Sequence, residues 1–415
     1  MHLRILHIST RLILGGSQEN TILSCEGQAK LGHEVHLAYG PIYGPEGSML
    51  DRVRTFNAAC QAEGFSDRVI RTHEVPHLVR EVHPLADRAC LRELRELISA
   101  LKPDVVHTHS SKAGILGRAA AWKCLKRNRT DRPAVVHTIH GPPFMPVEGT
   151  AMKRLRIGVM NGVYTLAERQ AAKRCHLIVC VADAMASQFL ARRIGRADQY
   201  VTVYSGMEIE PFLTPAPDQT RAAVRASLGL TESDFVVGTV ARLAEHKGHD
   251  DILDALGQHM RTHPEFKLLW VGDGWWAGRL RDRVESLGLS GQVICTGLVD
   301  PGRVPGLMRA MDVLCHPSSR EGLPRTVPQA LLCGVCPVAY DVDGTGEVCR
   351  EMETGRLVKP GNIAELRDAL LWAHSHSAER DELAQRGRAE CRQRFDVRNM
   401  IAALEEVYAR ALELA

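Results

Sequence analysis

The chain has 415 residues, more than one hydrophobic core ordinarily serves, so two domains are expected. Its 45% hydrophobic and 24% charged content suits a folded globular protein, and a net charge of +3 is too small to indicate a nucleic-acid partner. No run of about 18 apolar residues is present, which excludes a membrane-spanning helix; the twelve cysteines, with no secretory leader, read as reduced thiols of a cytoplasmic protein.

Leu3–Ile8 is short and apolar, as a buried first strand should be, and Gly15–Gly16 cut the apolar run short. A helix is predicted over Asn20–Leu31, and Gly32 turns the chain into a second strand, completing a βαβ unit. Two adjacent glycines let a backbone approach a ligand closely, although a tight turn explains them equally well. Residues 42–88 follow no clear pattern, and an amphipathic helix is predicted over Leu91–Leu101. Asp104–His109 then reads as a strand opening into a polar loop. His107 and His109 share a strand face, but no third ligand is apparent, so they are not read as a metal pair.

Val135–Ile139 is the next strand. His137 lies inside it and is expected in the core; His140, at its carboxyl end beside Gly141, is either a ligand-facing group or another packed imidazole. Two basic stretches belong to this half. Residues 112–132 carry Lys112, Arg118, Lys123, Lys126, Arg127, Arg129 and Arg132 against Asp131. Residues 152–174 carry Lys153, Arg154, Arg156, Arg169, Lys173 and Arg174 against Glu168, with Ile157, Val159, Met160, Val163 and Leu166 among them. Such a mixture is either a solvated helix face or a surface for anionic lipid. Strands at Leu177–Val181 and Val201–Tyr204 end the half.

Pro211, Pro215 and Pro217 mark a linker-like break. A helix over Thr220–Leu228 precedes the strand Phe235–Val240, whose following loop carries Arg242 and Lys247 ahead of a helix over Asp250–Met260. Two cations at a strand's carboxyl end suit a diphosphate, Arg as a fork and Lys as a point charge; a surface salt bridge is the plain alternative. Lys267–Val271 and Val293–Thr296 are two more strands; Trp275 and Trp276 either stack on a ligand or pack at a loop edge. Val313–Cys315 leads into His316–Arg320, Glu321 and Gly322. Pro328 must occupy one of the first helical positions, so a helix is predicted to start near Pro324 or Arg325. Backbone amides of Gly322 and Leu323 at that start suit a phosphate. Glu321 and Gln329, eight residues apart, are placed to hydrogen-bond sugar hydroxyls. Cys333 and Cys336 fall at an apolar corner with no second pair, and are read as core cysteines. Asp341–Val342–Asp343 is read as turn chemistry. An amphipathic helix over Met400–Leu414 ends the chain.

Residues 312–348 resemble the E-x7-E signature of family 4 retaining glycosyltransferases, with Glu321 at the first position and Gln329 replacing the second Glu. The run Arg242–Leu243 to Lys247–Gly248 resembles the family's GRL…KG motif, with Ala241 for the usual Gly; Gly15–Gly16 and the stretch from Asp104 to Arg118 match as well. The resemblance is densest at 3–37, 102–144, 237–260 and 312–348. It implies an α/β chain of the GT-B fold, two Rossmann-like domains facing each other across a cleft. Residues 1–206 would bind acceptor, 207–390 would bind the nucleotide sugar, and 391–415 would be a helix crossing back to the first domain. Gly15, Gly16, Arg242, Lys247, Gly322, Leu323 and Gln329 would hold the donor, with Glu321 and His140 catalytic.

The implied reaction is transfer of a hexosyl group, with retention, from a nucleotide sugar (UDP on frequency alone) to a glycan or lipid-linked acceptor. Cell-surface polysaccharide or glycolipid synthesis is the implied setting, in the cytoplasm, with peripheral contact at the inner, anionic membrane face. Neither metal nor other cofactor is expected, because Arg242, Lys247 and helix amides would take the departing diphosphate. Two other classes stay open: a sugar-nucleotide epimerase, which needs an acid/base set not identified in the sequence, and a noncatalytic sugar-nucleotide binder, which would explain Gln329.

Overall fold

The computed structural model describes residues 2–42, 47–125, 133–145 and 150–415. The chain divides into two compact units, Met1–Met207 with Val397–Ala415, and Glu208–Asp396. The first boundary thus follows Met207 rather than residue 206. The return to the first unit begins at Val397 rather than residue 391, because the preceding helix, Ser377–Arg394, belongs to the second unit.

The first unit alternates strand and helix: β1 (Arg4–Ser9), α1 (Gly16–Lys30), β2 (Glu34–Tyr39), α2 (Leu50–Ala62), β3 (Ile70–Glu74), α3 (Pro84–Leu101) and β4 (Val105–His109). It continues with α4 (Ser111–Leu125), β5 (Ala134–Ile139), α5 (Ala151–Ala172), β6 (Leu177–Cys180), α6 (Asp183–Ala191) and β7 (Tyr200–Thr202). The sheet order is β3-β2-β1-β4-β5-β6-β7, with parallel pairing. Parallel strands need long crossovers and are covered on both faces, so β4 and β5 are buried at every position.

Two expectations change here. Helix α1 starts at Gly16, not Asn20: Gly15 is extended and its carbonyl accepts from the Glu19 amide, so Ser17, Gln18 and Glu19 form the first turn. Within the unpatterned 42–88 lie α2, β3 and the start of α3. Only Ile70 of β3 is buried, because β3 is the edge strand, so no apolar run marks it. The start of α3 is fixed by Pro84 in its first turn and by His83, whose ring accepts from the Ala86 amide.

The second unit runs α7 (Glu210–Leu213), α8 (Arg221–Ser227), β8 (Phe235–Val240), α9 (His249–Met260), β9 (Phe266–Val271), α10 (Ala277–Ser286) and β10 (Val293–Gly297). There follow α11 (Val304–Arg309), β11 (Val313–His316), α12 (Thr326–Leu332), β12 (Cys336–Tyr340), β13 (Arg356–Val358), α13 (Ile363–Ser375) and α14 (Ser377–Arg394). Its parallel sheet has the order β10-β9-β8-β11-β12-β13.

The last helix, α15 (Val397–Glu413), covers the first unit's sheet. Met400, Ile401, Leu404, Val407, Tyr408 and Ala411 pack with Leu3, Ile5, Leu23, Val105, Val136 and Val179 in one core. Gly27 lets α1 and α15 approach closely, since a Cβ there would overlap the Ile401 side chain. Arg118 and Glu168, counted above among surface charges, form a buried pair at 2.7 Å between α4 and α5. Lys112 donates to the Glu81 carbonyl at 2.7 Å. These two cations are therefore not part of a lipid-facing surface, and Lys126, Arg127, Arg129, Asp131 and Arg132 lie outside the described residues.

Candidate active site

In an open parallel sheet, ligands bind beyond the strands' carboxyl ends where the winding direction reverses. In the second unit that point falls between β8 and β11. The loops there are tied to each other. The Ser319 amide donates to the His246 carbonyl at 2.9 Å, and Ser318 Oγ donates to the same oxygen at 3.1 Å. Gly248, at φ 71°, sits against the Pro317 carbonyl, where any Cβ would collide. The Leu243 amide donates to the Asp273 carbonyl at 3.1 Å, adding the loop after β9.

Glu321 is the centre of this cluster. Its Oε1 accepts from Lys247 Nζ at 2.6 Å and from His316 Nε2 at 3.0 Å, while its amide donates to Asp343 Oδ2 at 2.7 Å. Thr326 Oγ1 lies 3.3 Å from the other nitrogen of His316. Burial pushes the Glu321 carboxyl up, but Lys247 and His316 together outweigh that and hold it well below the usual carboxylate range. An ionised, oriented carboxylate can accept hydroxyl hydrogen bonds from a sugar. Asp343 has a positive φ of 48° and secures the Glu321 backbone, so the DxD segment acts here through its turn.

The second unit's other donor candidates lie on the same loops and on α12. Gly322 and Leu323 are buried in the loop between β11 and α12. Helix α12 starts at Thr326, with Arg325 before it and Pro328 in its first turn. Gln329 is one turn beyond Thr326, and so shares the helix face whose first residue meets His316. Its side chain is half-buried and has no hydrogen-bond partner among the described residues. Arg242, in the β8–α9 loop, lies 5.5 Å from the Trp275 ring centroid. Trp276 instead packs under Arg279. His316 and Asp343 were not singled out from the sequence as site residues, because their roles come from contacts between loops.

In the first unit the reversal falls between β1 and β4. Gly15 and Gly16 are exposed beyond β1 at the start of α1. His140 follows β5, and its Nε2 lies 3.1 Å from His109 Nδ1. His137 is buried as expected, with Nδ1 2.9 Å from Thr108 Oγ1. The third imidazole not apparent beside His107 and His109 is His7, which is the register partner of His107 across β1 and β4. One nitrogen from each of these three rings lies within 4.8 Å of the others.

Two Rossmann-like parallel-sheet units, each with polar groups at its winding reversal, define a protein of the GT-B class. The sequence matches Glycosyltransferase Family 4 over residues 14–210 and Glycosyl transferases group 1 over residues 220–390. The chain belongs to these group 1, family 4 glycosyltransferases. Among its relatives is the UDP-Gal:alpha-D-GlcNAc-diphosphoundecaprenol alpha-1,3-galactosyltransferase of Escherichia coli, 27% identical over 323 residues, covering 76% of this chain and 79% of the relative. The 2-deoxystreptamine N-acetyl-D-glucosaminyltransferase of Streptomyces fradiae is also 27% identical, covering 73% of this chain and 77% of its own. Among solved structures, Anabaena HepE in complex with UDP and glucose shares the fold at a TM-score of 0.75 and 22% identity, over 98% of this chain and 100% of that one. A glycosyltransferase from Rickettsia africae does so at 0.76 and 18%, over the whole of both chains.

Proposed function

We propose that this glycosyltransferase moves a hexosyl group from a UDP-sugar to a glycan or lipid-linked acceptor, with retention of anomeric configuration, in cell-surface polysaccharide or glycolipid synthesis. The observation that carries the reading is Glu321, held ionised by Lys247 and His316 at the winding reversal of the second unit. Lys247 and Arg242 would take the diphosphate, a donor phosphate competing with Glu321 for the lysine ammonium. Amides of Gly322 and Leu323 and the backbone at Gly15 and Gly16 would add contacts, and Gln329 would bond the ribose. Cations and amides then stabilise the leaving diphosphate without a required metal. Glu321 would orient sugar hydroxyls, and His140 would stabilise the sugar as positive charge develops. Departure and attack on one face of the sugar, assisted by the leaving group, gives retention.

UDP is supported by the named donor of the Escherichia coli relative and by the UDP complex of HepE. The same relative, whose named acceptor carries a diphosphoundecaprenol, supports a lipid-linked acceptor. Helix α5 supports contact with an anionic membrane. Met152, Leu155, Val159, Val163 and Leu166, at helical spacing, are each more than half exposed. Lys153, Arg154, Arg156 and Arg169 are exposed beside them. Among the described residues no helix is long and apolar enough to cross a membrane.

The test is turnover of UDP-, GDP- and ADP-hexoses with a polyprenyl-diphosphate-sugar acceptor, reading nucleotide release and the product's anomeric configuration. Release of UDP with a retained anomer supports the reading. An inverted anomer removes the retaining step, and turnover of no donor removes the transferase.

A further inference from the structure

The first unit contains a hydrogen-bonded chain that ends on His140, and the buried residues behind His140 have no part in the transfer chemistry above. His7 Nδ1 lies 2.9 Å from His109 Nε2, and His109 Nδ1 lies 3.1 Å from His140 Nε2. In the other direction His7 Nε2 lies 2.7 Å from Gln28 Oε1, on α1. Gln28 Nε2 donates to the Tyr408 hydroxyl of α15 at 2.9 Å, and Tyr408 lies 2.7 Å from His107 Nδ1. His107 Nε2 ends this second branch 2.7 Å from Thr138 Oγ1.

Burial lowers the basicity of these rings, taking His7 to about 4 and His107 and His109 well below the ordinary histidine value. They are therefore neutral near pH 7. A neutral imidazole donates at one nitrogen and accepts at the other, so the ring-to-ring bonds must all run in one sense. In the orientation the Gln28 amide takes, oxygen to His7 and nitrogen to the Tyr408 hydroxyl, it sets the sense. Its oxygen accepts only, so His7 carries its proton on Nε2 and presents a bare Nδ1. His109 must then donate from Nε2, which leaves its Nδ1 bare. His140 must in turn donate from Nε2.

We propose that Gln28 is a positioning residue that, through His7 and His109, holds His140 in the tautomer protonated at Nε2 and accepting at Nδ1. This rests on the reading of His140 as the imidazole that acts on the transferring sugar. The chemistry gives the tautomer a purpose. A sugar losing its diphosphate develops positive charge, which a nitrogen lone pair stabilises and an N–H opposes. The alternative use of the three clustered rings is as metal ligands. Here, however, both nitrogens of each ring already have a protein partner at hydrogen-bond distance, and a cation would have to displace the bond between His7 and His109.

The experiment is two-bond proton–nitrogen correlation on the full chain with nitrogen-15 histidine at pH 7, assigned by single substitutions. The expected result is Nε2-protonated His7, His109 and His140. A wild-type protein with His7 or His140 protonated at Nδ1 overturns the proposal without any variant. In Gln28→Met, His140 should lose its single tautomer and kcat should fall roughly tenfold, while the donor KM stays within about twofold. Gln28→Glu keeps an accepting oxygen opposite His7 and should preserve the tautomer. An unchanged His140 tautomer in Gln28→Met overturns the role of Gln28. Shifts of the His7 and His109 nitrogens on addition of one equivalent of zinc overturn the chain in favour of a metal site. Because the tautomers are read without turnover, a protein that transfers no sugar would remove the functional reading while the spectra still decide the chain.

Discussion

Lys247 and Glu321 form an ion pair with both side chains largely buried, so neither charge is easily left alone. The carboxyl of Glu321 is lowered on folding, so its ionised form stabilises the fold above the unfolded value of about 4.3. That contribution is lost as pH falls through this value toward the lower folded one. Glu321→Gln should therefore be less stable than wild type at pH 7, with the gap narrowing toward pH 3; urea midpoints at the two pH values measure it. A gap unchanged by pH would mean that the carboxylate is not held ionised by its partners. The cations and carboxylate of this site were legible in the sequence because each sits in a loop that follows an apolar strand run. His316 was visible only as a loop residue, and the tether to Asp343 depends on a bond between residues 22 apart in the chain. Gln28 and Tyr408, 380 residues apart, were not legible at all, since no local pattern places α15 against α1.

Among the elements, α1 and α15 meet at Gly27, and the fit allows no methyl group without displacing Ile401. Gly27→Ala should destabilise the first unit by about 1–3 kcal/mol through overpacking, despite alanine's better helix propensity, as read by denaturant melts. A stabilised variant would show that the helices separate at little cost. Helix α5 makes a different prediction, because its exposed side is apolar and basic rather than packed. The protein should float with anionic vesicles and not with neutral ones, and Leu155→Asp with Val159→Asp should abolish flotation without lowering Tm. Failure of the wild type to rise with anionic vesicles removes the membrane contact. The apolar and basic residues of α5 were evident in sequence, whereas the burial of Arg118 against Glu168 was not, because that pairing joins residues 50 apart on two different helices.

For the whole molecule, the βα alternation and the proline-rich break near Pro211 made two Rossmann-like units readable from the sequence. The strand order, and hence the winding reversal at β1/β4 and β8/β11, came only with the structure. Helix α15 supplies a large share of the first unit's core, so removal of Val397–Ala415 exposes Leu3, Ile5, Val105 and Val136. Calorimetry of that truncation should show the first unit's transition lost and the second unit's retained; two intact transitions would contradict the assignment of α15. The second unit's reversal point is proposed to bind a nucleotide sugar. The most direct measurement is titration calorimetry of UDP-hexose into wild type, Arg242→Ala and Gln329→Glu. Wild type should bind selectively, Arg242→Ala should weaken binding roughly tenfold or more, and Gln329→Glu should tighten it as a charge-assisted bond replaces a neutral one. Wild-type binding that neither substitution alters would place the nucleotide elsewhere, and absence of binding to any nucleotide sugar would contradict the claim outright.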